Sequence, residues 1–297
     1  MSLPHSPDAA VARVDVVAAA RLKRRLALAA DSPWLHQEAA SRMAERLSFI
    51  KRQPAVVLDW SPDAPQPSSP LVKASPQARV LQVREVEPGV VPASWWRRLA
   101  GLNARERWMS PAAAAGIQAQ MIWSNMGLHL EPDALAVMRQ WRAAMADDSF
   151  VMFTTLGPGS LPSLRTLYAE YGWGEPHAPF TDMHDLGDML VEAGFADPVM
   201  DQELLTLHYA SAEALLKELR EMGMNLSPGR FAGLRSRAWL TALKLALSRQ
   251  ADANGRISLQ VELVYGHAFR AADRGPTLSA DTRIPLDDMK LMLRKRP

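Results

Sequence analysis

The residues of this sequence best placed to do chemistry are polar side chains that end short apolar runs. Ala55-Val56-Val57-Leu58 leads into Asp59, Trp60 and Ser61. Arg79 to Val83 is followed by Glu85 and Glu87, and Met121-Ile122-Trp123 ends in Ser124 and Asn125. Runs of this length and composition are patterned as buried parallel strands. In open α/β sheets ligands bind in the crevice outside the carboxyl ends of the strands, and an acid after the second strand commonly grips ribose hydroxyls. Glu85 and Glu87 are candidates for that role, Ser124 and Asn125 face the same crevice, and His129 lies in the loop beyond them. Arg165 carries a fork suited to a carboxylate, and Tyr168 follows it by three residues on the same helix face. His177, Asp182, His184 and Asp185 are metal-binding residue types, but their spacing fits no established ligand pattern. An aspartate just ahead of a helical run reads as its N-cap, so no metal is expected.

Whole classes of function fall away on composition. The chain has 297 residues and no cysteine, which excludes disulfides, thiolate zinc sites, iron–sulfur clusters and cysteine nucleophiles. A hydrophobic content of 48% fills a core without staples. The net charge of +2 is balanced rather than concentrated, unlike a dedicated nucleic-acid binder. Val11 to Ala20 is interrupted by Arg13 and Asp15, so it is not read as a signal-peptide core, and no window has the apolar length of a membrane span. The expected location is the cytoplasm, with neither nucleic acid nor membrane as partner.

The elements that must position these residues follow from periodicity. Asp15 to Lys51 has helical spacing broken at Ser32-Pro33, with the second helix over Trp34 to Ile50. Five prolines between Ser61 and Pro76 predict a loop after the first strand, and Trp95 to Leu99 is a short helix candidate. Asp133 to Met145 reads as a helix between strands at Met121–Asn125 and Phe150–Thr155, a βαβ unit. Helices are predicted over Leu161–Tyr171, Asp185–Ala193, Ser211–Met222 and part of Arg230–Gln250, with Gly194 as a positive-φ C-cap. Val199–Tyr209 and Ile257–Arg270 complete the strands. The class is α/β, with a mostly parallel sheet, an antiparallel edge and a helical insertion.

Several stretches together resemble the malonyl-acyl-carrier-protein O-methyltransferases of biotin synthesis. They are Trp34-Leu35-His36, Met43-Ala44-Glu45-Arg46-Leu47, Trp123-Ser124-Asn125-Met126-Gly127-Leu128, Phe153 to Leu161, Pro179 to Asp188, Ala193 to Asp201, and Tyr265-Gly266-His267-Ala268. The resemblance implies a Rossmann-like methyltransferase sheet with a helical lid, and S-adenosylmethionine as cofactor. It further implies a malonyl group on acyl carrier protein as substrate and partner. It implies helices over residues 1–53 and a methyltransferase-like domain over 54–297, with lid insertions near 161–179 and 211–247. His129, Arg165 and Tyr168 become substrate candidates, and Arg220, Arg230, Arg235 and Arg237 a basic face for an acidic carrier.

The cofactor turn departs from the family pattern. Asp59-Trp60-Ser61-Pro62-Asp63-Ala64-Pro65 stands where an acid followed by alternating glycines is expected, and no glycine occurs between Lys51 and Pro88. Only glycine lets a backbone approach a ligand so closely. Asp59, Trp60 and Ser61 therefore form either a reshaped cofactor turn in a working enzyme or the trace of one in a catalytically inactive binding or assembly protein.

Overall fold

A computed structural model describes residues 14–29, 31–63, 69–84, 108–223 and 225–271. Glu85, Glu87 and the helix expected at Trp95–Leu99 lie outside them. Seven strands form one sheet: β1 (Val56–Asp59), β2 (Arg79–Val83), β3 (Trp108–Met109), β4 (Ala119–Ser124), β5 (Met145–Leu156), β6 (Ala196–Tyr209) and β7 (Ile257–Arg270). Their order is β3-β2-β1-β4-β5-β7-β6. β1 pairs in parallel with both β2 and β4, and β7 runs antiparallel to both β5 and β6. The expected mostly parallel sheet with antiparallel pairing toward one edge is therefore observed. The order reverses between β1 and β4, which opens a crevice at their carboxyl ends.

Side-chain alternation divides the core into two layers. Met121 and Trp123 of β4 face α2 (Trp34–Leu47), whereas Ile122 faces α5 (Ala134–Ala144) and α7 (Met183–Glu192). The first layer also holds α3 (Ser69–Ala74), α6 (Pro162–Glu170), α8 (Ala212–Met222) and α9 (Arg237–Ser248). α1 (Val16–Ala27) packs Leu22 and Leu26 against Leu130, Ala178 and Leu226. A short helix, α4 (Pro111–Ala114), precedes β4.

Local chemistry explains most boundaries. Asp15, Asp133, Asp182, Ser211 and Ser236 each accept a backbone N–H as N-caps. Asp182 thus caps α7, and Gly194 beyond it takes φ +89° as its glycine predicts. The proline-rich segment departs from expectation, because it winds into the six-residue α3 instead of remaining loop. Pro70 lies in the first turn, where a helix needs no N–H, and Leu71 is buried in the core. α9 occupies Arg237–Ser248 within the expected Arg230–Gln250 stretch, after its cap Ser236.

Candidate functional site

The crevice is built from the first turn upward. Trp60 N–H donates to Trp123 O at 2.7 Å, prolonging the β1–β4 ladder and fixing the turn against β4. Asp59, 4% exposed, accepts from Ser61 N–H at 3.1 Å. Burial pushes its carboxyl up to about 6; the Ser61 hydrogen bonds and Arg84 oppose that rise, and Asp63 adds to it. Asp63 is also buried, and its Oδ2 lies 3.3 Å from His36 Nδ1. Burial favours its neutral form, but the His36 charge and hydrogen bonds outweigh that and hold its carboxyl below the usual range. Arg84, at the end of β2, donates to Asp63 O at 3.3 Å.

The β4 side of the crevice is knotted as tightly. Asn125 N–H donates to Ser61 Oγ at 3.1 Å. Its Nδ2 donates to His36 O at 2.8 Å, and its Oδ1 accepts from Thr154 Oγ1 at 2.8 Å. Asn125 therefore ties together α2, the β1 turn and β5, and its amide is committed to the protein. Gly127 allows the closest approach here: a Cβ on it would stand 3.3 Å from Pro62 Cδ and 3.4 Å from Ser124 Oγ. Trp60 fills the remaining volume, packed among Val83, Leu128 and their neighbours, and Lys23 bridges to Glu131 at 2.5 Å on the α1 side.

What remains between Trp60, Ser61, Pro62, Val83, Arg84 and Gly127 is about 40 Å³. That is room for roughly one water, against the ~300 Å³ or more that a small-molecule pocket occupies. Asp59, Ser61, Ser124 and Asn125 are brought together as the sequence suggests, with Asp59, Ser61 and Asn125 hydrogen-bonded within the protein. In this arrangement the described residues at the turn do not fit an adenosyl cofactor.

The space the fold leaves open lies on the lid side. A cavity of about 530 Å³ is enclosed by α1, α2, α6, α8, α9 and the segment Pro176–Phe180. Leu164, Leu219, Leu243 and Trp239 give it an apolar wall, and His36, His129, Ser160, Tyr168 and His177 supply polar atoms. Tyr168 and Trp239 belong to an aromatic cluster with Trp173 that braces α6 against α9. His129 lies 3.3 Å from Thr155 Oγ1, and burial, aided by repulsion from His36, lowers its pKa to about 3. It is neutral throughout the physiological range.

Of the expected substrate residues, His129 and Tyr168 line this cavity and Arg165 does not. Arg165 is exposed and donates to Pro158 O at 3.1 Å, pinning the turn that leads into α6, and its charge reaches His177. The basic face is also partly consumed. Arg230 pairs with Asp15 at 2.7 Å, and Arg235 donates to Trp173 O and lies over the Phe231 and Trp239 rings. Sequence reasoning missed His36, Asp63 and Arg84 in the crevice, and Arg25 at the cavity. No group of three or more metal-ligating side chains occurs among the described residues.

The buried Asp59 has a measurable consequence. A carboxyl that holds its proton more tightly folded than unfolded contributes stability below about pH 4 that is lost as the pH rises through about 6. Asp59→Asn keeps the acceptor for Ser61 and removes the charge. It is expected to stabilise the chain at pH 8 by on the order of 2 kcal/mol and to have little effect at pH 4. Denaturant midpoints of both proteins at the two pH values check this, and a pH-independent difference would contradict it.

A seven-stranded sheet in this order, with helices on both faces, defines the Rossmann-like methyltransferase class. Its fold is shared by the YcgJ protein of Bacillus subtilis, with a TM-score of 0.50 and 12% identity over 77% of this chain and 98% of that one. No family model matches the sequence. The malonyl-[acyl-carrier protein] O-methyltransferase of Gallionella capsiferriformans is 34% identical over 253 residues, covering 82% of this chain and 86% of that protein. The protein of the same name from Laribacter hongkongensis is 33% identical over 253 residues, covering 81% and 84%. That from Nitrosospira multiformis is 31% identical over 270 residues, covering 84% and 87%. The chain belongs to the malonyl-[acyl-carrier protein] O-methyltransferase family.

Proposed function

We propose that this chain is an S-adenosylmethionine-dependent O-methyltransferase that esterifies the free carboxylate of a malonyl thioester carried by acyl carrier protein. The relatives' activity supports the reaction. The cavity of about 530 Å³ beneath the lid is the observation that carries the substrate reading. A thioester arm is long, thin and largely uncharged, and suits an apolar channel with a few fixed polar groups. A carboxylate is already a nucleophile, so little acid–base machinery is required. The protein's part is to align the acceptor and exclude water. His129, held neutral, offers a hydrogen-bonding nitrogen without adding a charge. The lid aromatics Tyr168 and Trp239 close the channel from above. On this reading the reaction belongs in the cytoplasm, and no described helix is long and apolar enough to cross a membrane.

A second reading is favoured by one observation. The turn that closes the donor crevice to about 40 Å³ suits a protein that keeps the thioester cavity and does not transfer methyl groups. Both readings require the cavity to bind the acyl thioester. Leu243→Trp places an indole inside it, and is expected to weaken binding of malonyl phosphopantetheine at least roughly tenfold, at a cost of about 1–3 kcal/mol in stability that leaves the chain folded. Equal affinity of the variant and the wild type would remove the cavity from the account.

A further inference from the structure

The charged side chains of the large cavity are Arg25 of α1 and Arg220 of α8, which both line it. Arg25 donates from Nη2 to Arg220 O at 2.7 Å and to Gly223 O at 3.0 Å, carbonyls at the carboxyl end of α8. A cation is well placed at the negative end of a helix dipole. Burial and then the Arg220 charge both lower the proton affinity of Arg25. Among the described residues neither arginine is paired with a carboxylate, whereas Arg42, Arg46 and Arg230 all are. Lys217 on the same helix is taken up by Glu221 at 3.7 Å.

A second polar side chain, His177, lines the cavity. His177 Nδ1 lies 2.7 Å from Ala178 O, a contact that puts the proton on Nδ1 and leaves Nε2 an acceptor. That Nε2 is buried and has no hydrogen bond among the described residues, and burial keeps the ring neutral by lowering its pKa. The cavity therefore offers apolar walls and, at its rim, two arginines without a carboxylate partner among the described residues.

We propose that Arg25 and Arg220 form an anion subsite for the phosphate of a phosphopantetheine-type thioester. The inference rests on the reading that the cavity takes an acyl thioester. Phosphate has enough oxygens for two guanidinium forks, and binding it relieves the repulsion between them.

The test compares the dissociation constants of malonyl pantetheine, malonyl phosphopantetheine and malonyl-coenzyme A for the full chain and its Arg25→Gln, Arg220→Gln and double variants. In the wild type the phosphate is expected to tighten binding by roughly tenfold or more. The double variant should lose that advantage and bind the unphosphorylated arm as before. The exposed Arg220 can be replaced without touching the Arg25 contacts that brace α8, so Arg220→Gln alone still decides the matter if Arg25 variants fold poorly. An advantage that survives in Arg220→Gln overturns the subsite. So does a loss confined to malonyl-coenzyme A, which would place the arginines on its nucleotide end. If malonyl pantetheine itself fails to bind the wild type, the thioester reading falls, and the subsite with it.

Discussion

Glycine at positions 61, 62 and 63 together is expected to raise the affinity for S-adenosylmethionine at least roughly tenfold, because a ligand that binds only an open minority state is weakened by the fraction of molecules open. Three contacts keep the turn shut in the wild type. Ser61 Oγ accepts from Asn125 N–H, Asp63 faces His36 at 3.3 Å, and the Pro62 ring rests against Gly127. Ser61→Gly and Asp63→Gly remove the first two and restore glycines where the family pattern has them. Pro62→Gly removes the ring and frees the backbone. Calorimetric titration of the two proteins reads the change directly. Pro62→Gly alone, which leaves both polar contacts intact, serves as the milder variant and is expected to give a smaller gain. Unchanged affinity in a folded triple variant would show that the turn is not what restricts the crevice.

Asn125→Ala is expected to cost on the order of 3 kcal/mol, the largest stability effect of any polar replacement at the crevice. Its side chain is 2% exposed on a whole-residue basis and donates to His36 O while accepting from Thr154 Oγ1. Truncation leaves the α2 carbonyl without that donor in a place water cannot readily reach, which costs more than the bond itself is worth. α2 supplies Leu35, Ala39 and Met43 to the main core and His36 to both the crevice and the cavity, so loosening it reaches both. Urea unfolding of wild type and variant measures the loss. A difference within about 0.5 kcal/mol, typical of surface substitutions, would mean that Asn125 is not the tie the geometry makes it.

The contrast between these positions shows how much could be read in advance. Strands were legible wherever a short apolar run ended in a polar residue, as at Asp59 and Ser124, because period and length distinguish a buried strand. Helix limits were legible where the chemistry is local, as with Asp182 and Ser211 at N-caps and Gly194 beyond α7. The Pro70 helix was not, since the same proline that breaks a helix interior is accommodated in a first turn. Side-chain contacts were less legible for a different reason. Asn125 lies at the crevice, yet its two side-chain partners lie 89 and 29 residues away, and spacing cannot reveal that they use up its amide. Arg165 donates to Pro158 O, a carbonyl seven residues back that spacing does not single out. Arg25 sat in the run Arg21–Arg25 as one of four basic residues, and only the approach of α8 singles it out.

Methyl ester formation is the direct test of the proposed activity. Purified full-length chain, malonyl-acyl carrier protein and S-adenosylmethionine are incubated together, and the carrier is weighed by mass spectrometry. A carrier heavier by one methylene unit, formed in proportion to enzyme and lost with Leu243→Trp, is the expected result. No mass gain from a chain that still binds the malonyl thioester would contradict the methyltransferase reading and leave a thioester-binding protein whose donor crevice is closed.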